Sequence, residues 1–331
     1  MSSREDYGKK LEEQIASCKT EWRGLKLISV EQFSCEKIDE LFAVSRTMKE
    51  MVKGVKGCDL LKGYILSNIF FEPSTRTMCS FESAMYRLGG QVVRVLPGSS
   101  SSKKGETLDD TLRCLECYAD ICAVRHPIKG SVPSVVPYLT KPLLNAGDGT
   151  GEHPTQALLD LFTIQSELGT INNLTIVMLG DLKNGRTVHS LARLLANFEG
   201  ISLICVSPDS LKMPDEVKDV LGKSSGGITF SEESNLEEVL NLADVLYVTR
   251  LQKERFADPE EYSKLHGSFG ISKQVLLRGQ AKKNMIVMHP LPRVGEIDKD
   301  VDSDPRAAYF RQMENGMYVR MGLLALMLLG P

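Results

Sequence analysis

The chain alternates, and it does so twice. Short apolar runs of strand length are each followed by a longer segment whose apolar residues recur every three or four positions, and two such series fill 331 residues. This alternation predicts parallel sheets, because a connection that carries a helix returns the chain to enter the same sheet in the same direction. The first series reads as a helix capped by Ser34 and running to about 52, strand 64–71, helix 74–88, strand 91–96, helix 107–119, strand 120–125, a short helix over 131–139, and strand 142–146. A long amphipathic helix follows over 154–168. The second series reads as strand 174–180, helix 186–198, strand 201–207, helix 214–222, strand 227–231, helix 235–242, and strands 245–249 and 285–289. A last helix is expected after Asp304, with Pro305 at its first position, running to about 329. The expected fold class is therefore α/β with two lobes, each a mainly parallel sheet flanked by helices. The polar residues 1–25 are expected to be frayed.

Composition narrows the function classes. With 42% hydrophobic and 25% charged residues, the chain can bury a large core. A formal net charge of −3 gives no reason to expect nucleic acid or an anionic membrane as partner, and it makes any cluster of arginines a local, placed feature. The opening MSSREDYGKK is polar and the eight cysteines are scattered, which reads as reduced thiols in the cytoplasm. Cys114 and Cys117 form a C-x-x-C, but no second pair completes a zinc site, so no metal is expected. No apolar run approaches the length of a membrane span, about 18 residues.

Several motifs fall just after strands, where open α/β sheets bind ligands. Residues 70–90 read FFEPSTRTMCSFESAMYRLGG. A strand run ends at Glu72-Pro73, and Ser74, Thr75, Arg76 and Thr77 follow. A helical pattern then begins, with Met78, Phe81, Ala84, Met85 and Leu88 on one face. Free backbone N–H groups and the dipole at a helix start attract an anion. The hydroxyls add donors, and Arg76 suits a phosphate bidentately. A simple helix cap is the competing reading, but one hydroxyl suffices for a cap.

SSSSKKGET (99–107) is either a solvated loop or a mobile lid carrying a cation to an anionic ligand. RHP (125–127) places Arg125 at the carboxyl end of a strand. NAGDGTGEHPTQALLDLF (145–162) brings three glycines that let backbone approach a ligand, then His153 and Gln156 at a helix start. A neutral histidine can donate to a carbonyl oxygen, and glutamine both donates and accepts. A histidine that merely caps the helix is the alternative.

VMLGDLKNGRTVHSLARLL (177–195) resembles a P-loop at Gly180, Gly185, Arg186 and Thr187. Arg186 stands where the P-loop lysine belongs, and no apolar strand ends in an aspartate suited to magnesium. Arg186 at this place suits a carboxylate instead. TRLQKERF (249–256) puts Arg250 and Gln252 beyond another strand. MHPLPRVGEID (288–298) follows the last strand, and Leu291-Pro292 is a candidate cis bond in a tight turn. Ordinary loop chemistry accounts for either stretch taken alone. Together the stretches describe a phosphate and carbonyl site (Ser74, Thr75, Arg76, Thr77, Arg125, His153, Gln156) and a pair of guanidiniums, Arg186 and Arg250, suited to a dicarboxylate.

FFEPSTRT, SSKKGET, RHP, GEHPTQALLDLFTI, GDLKNGRTVHSLA, TRLQKERF and HPLPRV, in this order from about residue 26 to 330, resemble the aspartate carbamoyltransferase family, and VDSDPRAAYFRQMENGMY resembles its eukaryotic branch. Met78-Cys79 depart from the small polar residues more usual there. The resemblance implies a carbamoyl-phosphate-binding domain over 26–155, an aspartate-binding domain over 156–304, and a C-terminal helix, 305–331, packing back on the first lobe. It implies that Ser74 to Thr77 hold the phosphate. It gives Thr77, Arg125 and His153 to the carbamoyl oxygen, Gln156 to its amino group, and the Leu291-Pro292 backbone to a place over the substrates. Arg186, Arg250 and Gln252, with Lys104, would hold L-aspartate. Ser100 and Lys104 would reach into a neighbouring subunit's site, which makes a homotrimer with shared active sites. Arg76, Thr77, Lys104, Arg125 and His153 would be the catalytic set, with no cofactor. The chain would stand alone or be joined covalently to other pyrimidine-pathway domains. Three rivals remain: an ornithine carbamoyltransferase, a degenerate scaffold, and an ATP-binding module. The first typically carries His-Cys-Leu-Pro, whereas residues 289–292 read His-Pro-Leu-Pro. The second predicts a lost Arg76, Arg125 or Lys104, and none is lost.

Overall fold

Two parallel sheets organise the chain in a computed structural model that describes residues 3–96, 105–224, 226–251 and 269–331. One compact unit comprises Met1–Leu158 with Asn315–Pro331, and the other Leu159–Glu314. These boundaries, at 158/159 and 314/315, fall three and ten residues after the divisions expected at 155/156 and 304/305.

In the first unit the strands are β1 (Lys26–Leu27), β2 (Ile65–Phe70), β3 (Gln91–Val95), β4 (Ile121–His126) and β5 (Leu143–Asp148), in the order β1-β5-β4-β2-β3. Every pairing is parallel. β5 is buried along its whole length and β2 along nearly all of it, as expected of strands covered on both faces. β3 is the half-exposed edge. The helices are α1 (Arg4–Ala16), α2 (Cys35–Val55), α3 (Thr75–Arg87), α4 (Leu108–Glu116) and α5 (Ser131–Val135). Ser34 caps α2 by accepting from the Lys37 N–H, and Ile38, Leu41, Phe42 and Met48 point inward, as the spacing predicts.

Residues 3–25 are not frayed, contrary to expectation. Ser3 and Asp6 form a capping box at the start of α1, and Leu11 and Ile15, one turn apart, are buried. Trp22 is fully buried. It donates from Nε1 to Glu40 Oε2 at 2.8 Å, and its backbone N–H donates to the Pro331 carbonyl at 2.8 Å. A segment with so few apolar residues looks unanchored until its partners are known.

In the second unit β6 (Thr175–Leu179), β7 (Ser202–Val206), β8 (Thr229–Glu233), β9 (Val245–Val248) and β10 (Ile286–Met288) run in the order β10-β9-β6-β7-β8, again all parallel. Val177, Leu179, Val206, Leu246 and Val287 form its core with Tyr309. The helices are α7 (Arg186–Leu195), α8 (Asp215–Gly222), α9 (Leu236–Val239) and α10 (Lys273–Arg278). α10, capped by Ser272, has no counterpart in the sequence expectation. α6 (Pro154–Leu168) and α11 (Tyr309–Leu329) each contribute residues to both units, and from Asn315 onward α11 belongs to the first, as expected of a returning C-terminal helix.

The last helix starts at Tyr309, not at Pro305. Residues 306–308 run beside β10 instead: the Val287 N–H donates to the Arg306 carbonyl, and the Ala308 N–H to that of Val287, both at 2.8 Å. Backbone groups paired to a strand cannot also begin a helix. Among the described residues no helix is long and apolar enough to cross a membrane.

Candidate active site

The first unit gathers its polar residues at the carboxyl ends of three adjacent strands. β2 ends at Phe70, and the chain passes through Glu72-Pro73 into α3. Ser74 occupies the N-cap position of α3 but makes no side-chain cap bond. Its hydroxyl therefore does not serve as an ordinary cap. Thr75 and Arg76 are exposed in the first turn, and Thr77 is buried. The first N–H groups of any helix lack intrahelical acceptors, so this turn offers donors beside two hydroxyls and a guanidinium.

Arg125 is the cross-strand partner of Phe70, and its carbonyl accepts from the Phe71 N–H at 2.9 Å. This register sets the guanidinium beside the segment that leads to α3. The Arg125 side chain pairs with Glu72 (Nε to Oε1, 2.6 Å) and donates from Nη1 to the Ala146 carbonyl on β5 at 3.3 Å. Glu72 thus holds an arginine that the sequence assigned to a ligand. Its position inside FFEPSTRT was the available signal for such a partner.

His153 is buried just ahead of α6, and its carbonyl accepts from the Gln156 N–H at 2.9 Å, which fixes the two residues in one turn. The turn before them is tied down by Asp148. Its carboxylate accepts from the N–H groups of Gly130 (2.9 Å) and Glu152 (2.8 Å). Glu152 in turn accepts from Ser29 Oγ at 2.6 Å and from the Val30 N–H at 3.0 Å. Gly149, at φ +55°, has the Pro127 carbonyl 2.6 Å from where a Cβ would sit, so backbone packs on backbone there. His126, next to Arg125, is pushed below the usual histidine range by burial.

The second unit repeats the pattern. Arg186 opens α7, beyond β6. Thr249 and Arg250 follow β9, the neighbour of β6, and Leu291 and Pro292 follow β10, the neighbour of β9. The Gly180 and Thr249 backbones touch: a Cβ at Gly180 would lie 2.4 Å from the Thr249 carbonyl oxygen. Between Gly180 and Arg186 the loop closes on Asp181, which is fully buried and accepts from the Asn184 N–H at 2.9 Å. An acidic side chain inside the loop is the opposite of a phosphate cradle, which argues against nucleotide binding there.

The Leu291-Pro292 peptide bond is cis, as the sequence suggested. Its turn is braced by His289, fully buried, whose Nδ1 accepts from the Leu291 N–H at 2.7 Å. The proton therefore sits on Nε2, which donates to Glu296 Oε1 at 2.7 Å. Burial pushes the Glu296 carboxyl up, but the bonds from His289 and the Val294 backbone N–H outweigh it and leave the carboxyl below its usual range. A buried chain continues inward, because the His289 N–H donates to Gln312 Oε1 (2.9 Å), Gln312 Nε2 donates to Asp160 Oδ1 (2.6 Å), and Tyr247 OH donates to Asp160 Oδ2 (2.7 Å). Ser100, Lys104 and Gln252 lie outside the described residues.

Both units match one family. Residues 26–166 match the aspartate/ornithine carbamoyltransferase carbamoyl-P binding domain, and residues 172–327 match the Asp/Orn binding domain. The chain belongs to the aspartate/ornithine carbamoyltransferase family. Within that family it is 56% identical over 303 residues to the multifunctional protein pyr1-3 of Dictyostelium discoideum, covering 92% of this chain and 13% of that protein. It thus spans about an eighth of the length of that relative. It is 48% identical over 307 residues to the chloroplastic aspartate carbamoyltransferase of Arabidopsis thaliana, covering 92% of this chain and 78% of that one. A crystal structure of aspartate transcarbamoylase from Trypanosoma cruzi, in complex with carbamoyl aspartate and phosphate, has a TM-score of 0.86 and 45% identity, covering 95% of this chain and 97% of that one. For a carbamoyltransferase chain, the residues that sequence reasoning missed are supports: Glu72, Asp148, Glu152, His289 and Glu296.

Proposed function

We propose that the chain transfers the carbamoyl group of carbamoyl phosphate to the amine of L-aspartate, giving N-carbamoyl-L-aspartate and phosphate, an early step of de novo pyrimidine biosynthesis. The observation that carries this reading is the α3 start, whose N-cap serine makes no cap bond, set beside Arg125 at the neighbouring strand end. Such a site suits a phosphate attached to a carbonyl carbon. Arg186 and Arg250, at adjacent strand ends of the second sheet, suit the two carboxylates of aspartate. The relative crystallised with carbamoyl aspartate and phosphate, the two products of this reaction, supports the same reading.

The chemistry follows from the residue types. The uncharged aspartate amine attacks the carbamoyl carbon. Negative charge grows on the carbonyl oxygen, for which Thr77, Arg125 and His153 are the donors, while Gln156 holds the amino group and the Leu291-Pro292 backbone contacts the substrates. The bond to phosphate breaks, and the leaving charge is met by Ser74, Thr75, Arg76, the α3 start and Lys104. The departing phosphate takes the amine proton, so no protein base is needed. Arg186, Arg250 and Gln252 hold aspartate, and much of the rate comes from positioning the two substrates. We further propose a cytoplasmic homotrimer in which Ser100 and Lys104 serve a neighbouring subunit's site, in a chain that stands alone or is joined to other pyrimidine-pathway domains.

The test offers carbamoyl phosphate with L-aspartate in one reaction and L-ornithine in another. Carbamoyl-aspartate from the first alone is expected. Citrulline would reassign Arg186 and Arg250, and no product from folded protein would favour a scaffold.

A further inference from the structure

A buried arginine bridges the second turn of α3 and the first turn of α6. Arg320 lies on α11, within a run of apolar residues, and is only 3% exposed. Its Nη1 donates to Ser80 Oγ on α3 at 2.9 Å, and its Nη2 to Thr155 Oγ1 on α6 at 3.3 Å. Its Cζ lies 5.1 Å from the centre of the Phe81 ring, which packs the plane in place. Ser80 is one turn beyond Arg76 on the same helix face. Thr155, fully buried, lies between His153 and Gln156 in sequence. The two arms of one planar group therefore reach the helix that begins with the phosphate donors and the helix that begins with the carbonyl donors.

We propose that Arg320 is a positioning residue for carbamoyl phosphate: its rigid fork sets the separation between the α3 and α6 starts, and so between the phosphate and carbonyl halves of the site. The inference rests on the functional reading above. A guanidinium suits this task because its donors sit at fixed angles, whereas a lysine is a single flexible point. A ligand that spans both halves feels the separation, and one that occupies only the phosphate half does not. Inorganic phosphate and carbamoyl phosphate thus report differently on the same brace.

Arg320→Lys, Ser80→Ala and Thr155→Val test this, the last two removing one acceptor each with little change of shape. Circular dichroism first confirms folded protein. Steady-state kinetics then give kcat and KM for each substrate, and product inhibition gives the affinity for inorganic phosphate. We expect kcat/KM for carbamoyl phosphate to fall roughly tenfold or more in Arg320→Lys, and less in the single hydroxyl variants. The phosphate inhibition constant and the KM for aspartate are expected to stay within about twofold. A purely structural role would lower the melting temperature and leave this contrast absent. Folded variants with unchanged constants overturn the proposal, as does an equal loss of carbamoyl phosphate and phosphate affinity. A wild-type chain that neither transfers a carbamoyl group nor binds phosphate overturns the functional reading, and the role of the brace with it.

Discussion

At the scale of single residues, the proposed chemistry rests most on two arginines. Arg76 sits exposed in the first turn of α3, and Arg125 is held at a strand end by Glu72 and the Ala146 carbonyl. Arg76→Ala and Arg125→Ala are each expected to cost roughly 2–4 kcal/mol of transition-state stabilisation, by analogy with removal of one oxyanion donor, read as the drop in kcat/KM. Near-wild-type turnover in either variant would remove that arginine from the mechanism. Both arginines were legible in the sequence, because each follows an apolar strand run. Arg320 was not singled out by the sequence, where it stands as a lone charge before the apolar run GLLALMLLG. Its purpose lies in Ser80 and Thr155, 240 and 165 residues away in the chain.

Elements set these residues in place through close backbone approach. Gly180 has φ +117°, and a Cβ there would collide with the Thr249 carbonyl. Gly180→Ala is expected to destabilise the second unit by about 1–3 kcal/mol, lowering the melting temperature by several degrees. An unchanged melting curve would show that the β6 and β9 ends can separate at little cost. The turn after β10 carries a charge brace of a different kind. Asp302 accepts from Arg293 and from Tyr309 OH, and these bonds, the one from Arg293 foremost, lower its carboxyl to about 2. A depressed carboxyl contributes stability above its ordinary pKa and loses it as pH falls through the folded value. The melting-temperature gap between wild type and Asp302→Asn is therefore expected to be full above about pH 4 and to close toward about pH 2. A gap independent of pH over that range would mean that the brace acts through packing rather than charge.

At the scale of the whole molecule, the open question is what one chain does for another. Lys104 and Ser100, the residues proposed to serve a neighbouring site, follow β3, the edge strand of its sheet, in the sequence. Lys104→Ala and Arg76→Ala subunits, each nearly inactive, are expected to regain activity when dissociated, mixed and reassembled, because a mixed assembly restores some sites with both residues intact. Exchange verified by mass spectrometry without recovered activity would rule out shared sites. The family match covers both units, so the same experiment applies whether the chain acts alone or within a longer polypeptide.

The class of fold, and the places of the candidate site residues along the chain, were readable from the sequence. Strand and helix periods are local, and so is the placing of Ser74 to Thr77, Arg125, Arg186 and Arg250 beyond apolar runs. Tertiary structure alone decided the rest, for three physical reasons. Residues 306–308 look like a helix start, but their backbone bonds to β10. Residues 3–25 look unanchored, but Leu11, Ile15 and Trp22 are buried, and Glu40 accepts the Trp22 indole N–H. Glu72, Glu296 and Arg320 look like ordinary charges, because a charge becomes a support only when a distant partner lies within hydrogen-bond reach, and no local pattern encodes that distance.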